Sequence, residues 1–95
     1  MYYVLFYDLV GNMVERRAPF RESHLNLARE YQDRGELLFA GAYGDTADGA
    51  LLVFRVSEAS AVEGFVQKDP YVANGLVTAW RIRPWQVVVG SCHEP

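Results

Sequence analysis

The stretch Tyr2-Tyr3-Val4-Leu5-Phe6-Tyr7 decides the architecture of this chain. A short run of aromatic and branched residues is too brief for a helix and favours a strand, whose successive side chains face opposite sides. Both sides are apolar here, with Tyr2, Val4 and Phe6 on one and Tyr3, Leu5 and Tyr7 on the other. Such a strand needs cover on both of its faces.

Working outward, Val10 to Ala18 reads as a connection with Gly11-Asn12 as its turn. Pro19 suits the first turn of a helix that runs to about Arg34, where Gly35 supplies the stop. Leu37 to Tyr43 is a second strand, again apolar on both faces, and Gly44 to Gly49 is a short polar turn. Ala50 to Val56 returns as the third strand of a hairpin. Ser57 is a candidate N-cap for a second helix reaching Lys68, with Ala61, Val62, Phe65 and Val66 inward. Asp69-Pro70 restarts a short helical turn that ends at Asn74-Gly75. A long last strand, Val77 to Val89, is bent at Pro84.

The order β-α-β-β-α-β is the ferredoxin-like α+β arrangement, one antiparallel sheet with two helices on one face. Two helices cover one face, yet the first three strands are apolar on both. The open face would exceed the few hundred Å² of apolar patch usual for monomers, and a second copy on a two-fold axis is the simplest cover. The expectation is a homodimer packed through the sheet face. The space between sheet and helices is a natural small-molecule cleft. One domain is expected over residues 1–90, with 91–95 as a C-terminal tail.

The 95 residues leave room for one core, and 51% hydrophobic with 22% charged residues is an ordinary globular balance. A net charge of −3 argues against nucleic-acid binding. Eight of the nine basic residues are arginine, a bias compatible with local carboxylate or phosphate recognition and equally with genome composition. Cys92 is the only cysteine, which excludes an internal disulfide, and Cys92, His93 and Glu94 are too few for a closed zinc site. The apolar start has no basic leader and soon meets Asp8, so neither a signal peptide nor a membrane span is expected, and the expected location is cytoplasmic.

Phe20, His24, Leu27 and Tyr31 recur at helical spacing and share one face. An imidazole in that apolar stripe needs a partner when buried. With a carbonyl or water as partner, His24 is a satisfied core residue; with Asp69, it is half of an acid/base dyad. Asp69 before Pro70 also has the form of an N-cap, and a carboxylate accepting one backbone N–H can still hold an imidazole N–H. Arg21 lies one turn before His24 and could clamp an anionic substrate. Tyr7 and Tyr71 are further candidates to line the pocket. Asp8 reads as a turn residue, and Arg81 and Arg83 alternate with Trp80 and Ile82 and so point to one face, either lining the dimer cavity or, the favoured reading, reaching solvent.

The pattern Arg21-x-x-His24-Leu25, Gly35-x-Leu37-Leu38-x-Ala40-Gly41, Gly49 before a strand, Asp69-Pro70-Tyr71 and Ile82-x-Pro84 resembles the YCII-related (YciI-like) family over about residues 1 to 89. The resemblance implies a dimeric α+β barrel and an active site built on His24 and Asp69, with Arg21 at the family's helical arginine. Some relatives are dehydrochlorinases of chlorinated aromatics, and the wider superfamily includes isomerases and cofactor-free monooxygenases. Gly41-Ala42 stands where many relatives have Gly-Pro, and the Gly44 to Gly49 hairpin is short. The expected function is lyase- or isomerase-type proton transfer on a small organic substrate. Catalysis falls to His24 and Asp69, binding to Arg21, Tyr7 and Tyr71, and no metal or cofactor is needed. The alternative is a non-catalytic ligand-binding or assembly module of the same fold.

Overall fold

The computed structural model describes residues 1–90. The expectations for the 91–95 tail, including Cys92 and His93, lie outside the described residues. Four strands, β1 (Tyr2–Leu9), β2 (Leu37–Tyr43), β3 (Gly49–Arg55) and β4 (Val77–Trp85), form one sheet in the order β2-β3-β1-β4. Every neighbouring pair is antiparallel. Helices α2 (Arg21–Asp33) and α3 (Ala59–Lys68) cover one face, and two single turns, α1 (Met13–Arg16) and α4 (Pro70–Ala73), lead to and from them. This is the ferredoxin-like α+β arrangement expected from the pattern.

The alternation in β1 divides the molecule. Tyr3, Leu5 and Tyr7 join Leu52 and Phe54 of β3 and Val62, Phe65 and Val66 of α3 in the core. Tyr31 of α2 closes it, meeting Phe65 edge-to-face at 5.1 Å. On the opposite face the cross-strand register aligns Val4 with Val53 and Arg83, and Phe6 with Leu51 and Arg81. Val53 is in turn aligned with Phe39 of β2. Phe39, Tyr43, Leu51 and Trp85 remain exposed on that side. The Arg81 guanidinium lies 4.3 Å over the Phe6 ring. No helix among the described residues is long and apolar enough to cross a membrane.

Several boundaries differ from the sequence reading for physical reasons. The segment read as a Val10 to Ala18 connection contains α1 and a 3₁₀ turn, Ala18–Phe20, so Pro19 sits just before α2 rather than in its first turn. Asn12, at φ 59°, starts this reversal, and Met13 anchors it by burial. Ser57 is not the cap of α3; Glu58 occupies that position in extended conformation without a side-chain bond. Asp8 lies within β1 rather than in a turn, aligned with Gly49. β4 stops at Trp85, four residues before the expected Val89. Its partner β1 begins at Tyr2, which aligns with Trp85, so the ladder between the two strands ends there. Pro84 is tolerated because β4 is an edge strand. Gly49 pairs with Tyr43, whose ring occupies the space a Cβ would need.

Candidate active site

The first turn after α3 brings the chemistry together. Asp69 is extended at φ −72°, ψ 118°, and caps α4 by accepting the Tyr71 N–H on Oδ1 at 3.0 Å. Pro70 at the first helical position has no N–H to satisfy and a φ already suited to the turn. The cap is therefore built as the sequence indicates, but the carboxylate has more partners. His24 Nδ1–H donates to Oδ1 at 2.8 Å, and the Tyr7 hydroxyl donates to Oδ2 at 2.8 Å. Asp69 is 0% exposed. A buried acceptor-only group needs donors, and both oxygens have them.

The three donors come from three elements. Tyr7 reaches down from β1, His24 across from α2, and the Tyr71 amide from α4. Phe65 approaches the imidazole edge-on at 6.5 Å, while the Tyr71 ring stacks flat on it at 3.8 Å and 8°. These contacts leave the His24 side chain 13% exposed. Because Asp69 accepts the hydrogen bond from Nδ1–H, the neutral ring carries its lone pair on Nε2. No side chain among the described residues bonds Nε2, and His24 lines an open cleft.

That cleft, of about 290 Å³, lies between α2 and the β2–β3 side of the sheet. It is held open by small residues. Ala28 of α2 faces Ala40, Ala42 and Ala50 of the sheet, where larger side chains would close the gap. Leu9, Met13, Leu25 and Leu52 supply apolar wall, and Tyr7, His24, Tyr71, Arg21 and Arg17 supply the polar groups. All five residues singled out in the sequence thus meet in one place: His24 and Asp69 bond directly, Tyr7 bonds Asp69, and Tyr71 and Arg21 line the cleft beside them. Gly41 and Ala42 of the Gly-Ala variation also border it. Missed were Met13, at the start of α1, and Arg17, the residue that follows that helix. A signal was present, since Met13, Arg17 and Arg21 recur at intervals of four.

Burial is the main cause that pushes the Tyr7 hydroxyl far above the ordinary tyrosine value of 10.0, and the Asp69 charge and hydrogen bond add to it. Tyr7 therefore stays a donor. The sign for stability follows: the folded state holds this proton more tightly than the unfolded chain, so the contribution is complete below pH 10 and is lost as pH rises above it. Tyr7→Phe is expected to remove that alkaline component from a urea-unfolding series. At neutral pH the variant loses about 1–3 kcal/mol through the stranded Oδ2. An unchanged alkaline slope would contradict this assignment. Burial likewise raises the Tyr71 hydroxyl, with Arg21 and Arg17 opposing the shift.

An uncharacterised protein of Haemophilus influenzae is 28% identical, covering 93% of this chain and 99% of its own length. Protein YciI of Escherichia coli is 27% identical over the same shares. The structure of 5-chloro-2-hydroxyhydroquinone dehydrochlorinase from Burkholderia phenoliruptrix, in complex with 2,5-dihydroxybenzoquinone, matches with a TM-score of 0.75. That match covers 90% of this chain and 94% of that one at 19% identity. An antibiotic biosynthesis monooxygenase matches at a TM-score of 0.54 and 10% identity, covering 94% and 100%. At those identities the likeness is one of fold. The model of the YCII-related domain matches residues 1–86, and the chain belongs to that family.

Proposed function

We propose that the protein is a small-molecule enzyme of acid/base type, a lyase or isomerase with His24 as the proton-transfer group. The observation that carries this reading is the buried Asp69 carboxylate holding Nδ1–H of His24, a residue that lines the cleft and whose Nε2 has no side-chain partner among the described residues. Asp69 orients the ring and compensates the charge it acquires on taking a proton. Arg21 sits one turn away on the same helix, where it can hold an anionic substrate. In an elimination, the proton passes from substrate to Nε2, its bonding electrons form the new double bond, and the leaving group departs as an anion. In an isomerisation, the same nitrogen returns the proton at another carbon.

The first substrate to try is 5-chloro-2-hydroxyhydroquinone, on which the structurally similar dehydrochlorinase acts. Chloride release and a shift of the His24 ring resonances on adding the compound are the expected results. The close cover of His24 by Tyr71 and Phe65 favours the other reading, a non-catalytic ligand-binding or assembly module. Ring resonances that respond to none of a panel of small acids and hydroxyaromatics, with no turnover, would establish that reading instead.

The assembly that fits this function is a homodimer through the open sheet face. Val4, Phe6, Leu51 and Trp85 frame a groove of about 460 Å³ on that side, rimmed by Arg81 and Arg83. Leu51→Asp puts a charge at its centre, which costs several kcal/mol to desolvate in an interface. The expected result is twice the chain mass for wild type in sedimentation and a single chain mass for the variant. A monomeric wild type at high concentration would rule the dimer out.

A further inference from the structure

We infer that Arg17, Arg21 and the Tyr71 hydroxyl form one oxyanion subsite beside His24, fitted to the carboxylate or ionised enol oxygen of a small, largely apolar ligand. The inference deepens the acid/base reading and rests on it only for the role of His24.

Three observations converge. The Tyr71 hydroxyl is the only buried side-chain polar atom among the described residues that completes no hydrogen bond of good geometry, and the Arg21 guanidinium, which acts on it as a donor, leaves its own O–H without an acceptor. The residue is 5% exposed and lines the cleft. A stranded donor lowers stability, so it is a group in want of an acceptor. Secondly, the cations acting on that hydroxyl are Arg21 and Arg17, both of which line the cleft. Neither forms an ion pair among the described residues, where the pairs are His24–Asp69 and Arg34–Glu36. Thirdly, the lining of the cleft contains two guanidinium groups and no carboxylate, in a chain whose net charge is −3. The adjacent carboxylate, Asp69, is fully buried and turned toward Tyr7, His24 and the Tyr71 amide. It does not occupy the arginines.

An oxyanion seated there accepts from the phenol and from both guanidiniums, and satisfies the one stranded donor. Arg21 is exposed and in no ion pair among the described residues, so it can swing about its stem to admit the ligand. The flat stack of Tyr71 on His24 at 3.8 Å ties the subsite to the base. A ligand held by its oxyanion at the hydroxyl presents its neighbouring atoms to the imidazole. The apolar wall of Leu9, Met13, Leu25 and Leu52 takes the rest of the ligand. The substrate class is therefore a small carboxylic acid or acidic enol whose labile proton lies close to the anionic oxygen.

The test uses benzoate and 4-nitrophenolate as oxyanion probes and benzamide as the neutral control, each titrated into the full chain by NMR. Either anion is expected to shift the Arg17 and Arg21 side-chain Nε–H signals, and benzamide to leave them in place. Binding of the responding anion should weaken about tenfold or more in Arg17→Gln or Arg21→Gln, and about three- to tenfold in Tyr71→Phe. Tyr71→Phe should unfold at the same or a higher urea concentration than wild type, because it deletes a donor with no acceptor. A hydroxyl with a merely structural role would show the opposite, lost stability with unchanged binding. Equal binding of benzamide and the anions, or Tyr71→Phe binding as wild type does, overturns the subsite. His24→Ala should retain the arginine shifts, so a failure of the catalytic reading leaves this result legible.

Discussion

Exchange of His24 for alanine should lower turnover by about 10²–10⁴-fold, the usual contribution of one positioned acid/base group. The fold should survive. Removal of the imidazole leaves Oδ1 of Asp69 bonded to the Tyr71 amide and Oδ2 bonded to Tyr7. The vacated volume borders a cleft that water can enter. Arg21 stays in place, so the loss should fall on kcat rather than KM, the mark of an interaction made in the transition state. Added imidazole should restore part of the rate by filling the gap. A His24→Ala variant with undiminished activity on a true substrate would sink the acid/base reading.

Loss of the Asp69 side chain should do more damage to the molecule itself. Asp69→Ala is expected to destabilise by about 3–5 kcal/mol, the range seen when one partner of a buried charged pair is removed. The carboxylate caps α4 and anchors Tyr7 and His24, so its loss strands three donors at once. Against a total stability of about 5–15 kcal/mol for a small domain, that approaches unfolding. Asp69→Asn separates the two roles. Its amide oxygen can keep the cap and the imidazole N–H, while the Tyr7 hydroxyl turns to accept from its NH₂ group. The fold should then persist with turnover reduced about 10²-fold or more, because the charge facing the protonated imidazole is gone. Equal urea midpoints for Asp69→Ala and wild type would show that the three hydrogen bonds do not matter to the fold.

The readable parts of this chain were those where one local signal has one cause. The two apolar faces of Tyr2 to Tyr7 reported the sheet and its position within it, and strand β2 matches its expected span of Leu37 to Tyr43. Asp69 was legible because Asp-Pro is a capping signal, and His24 because an imidazole on an apolar helical stripe demands a partner. What escaped has non-local causes. The end of β4 at Trp85 is dictated by where β1 begins, 83 positions earlier in the chain, since a strand continues only beside a partner. Helix α1 is four residues long and has no period to detect. It is stabilised by packing Met13 against Tyr71 and Leu76, contacts that only the folded chain brings together. The spacing of four that links Met13, Arg17 and Arg21 was therefore not enough to mark Arg17, because nothing local shows that this segment is helical.

The alanines of the cleft separate two tasks onto two parts of the molecule. Tyr7, His24 and Asp69 come from β1, α2 and the start of α4, whereas Ala40, Ala42 and Ala50 come from the β2–β3 hairpin. A methyl group exchanged for an isopropyl at Ala42 or Ala50 would shorten the guest without touching any hydrogen bond around the imidazole. The hairpin is joined to the rest of the sheet through β3 alone. On the acid/base proposal, ligand size is thus adjustable in one region while Tyr7, His24 and Asp69 stay constant in another. A lineage built on this plan can move between substrates by changes in its alanines and keep one chemistry throughout.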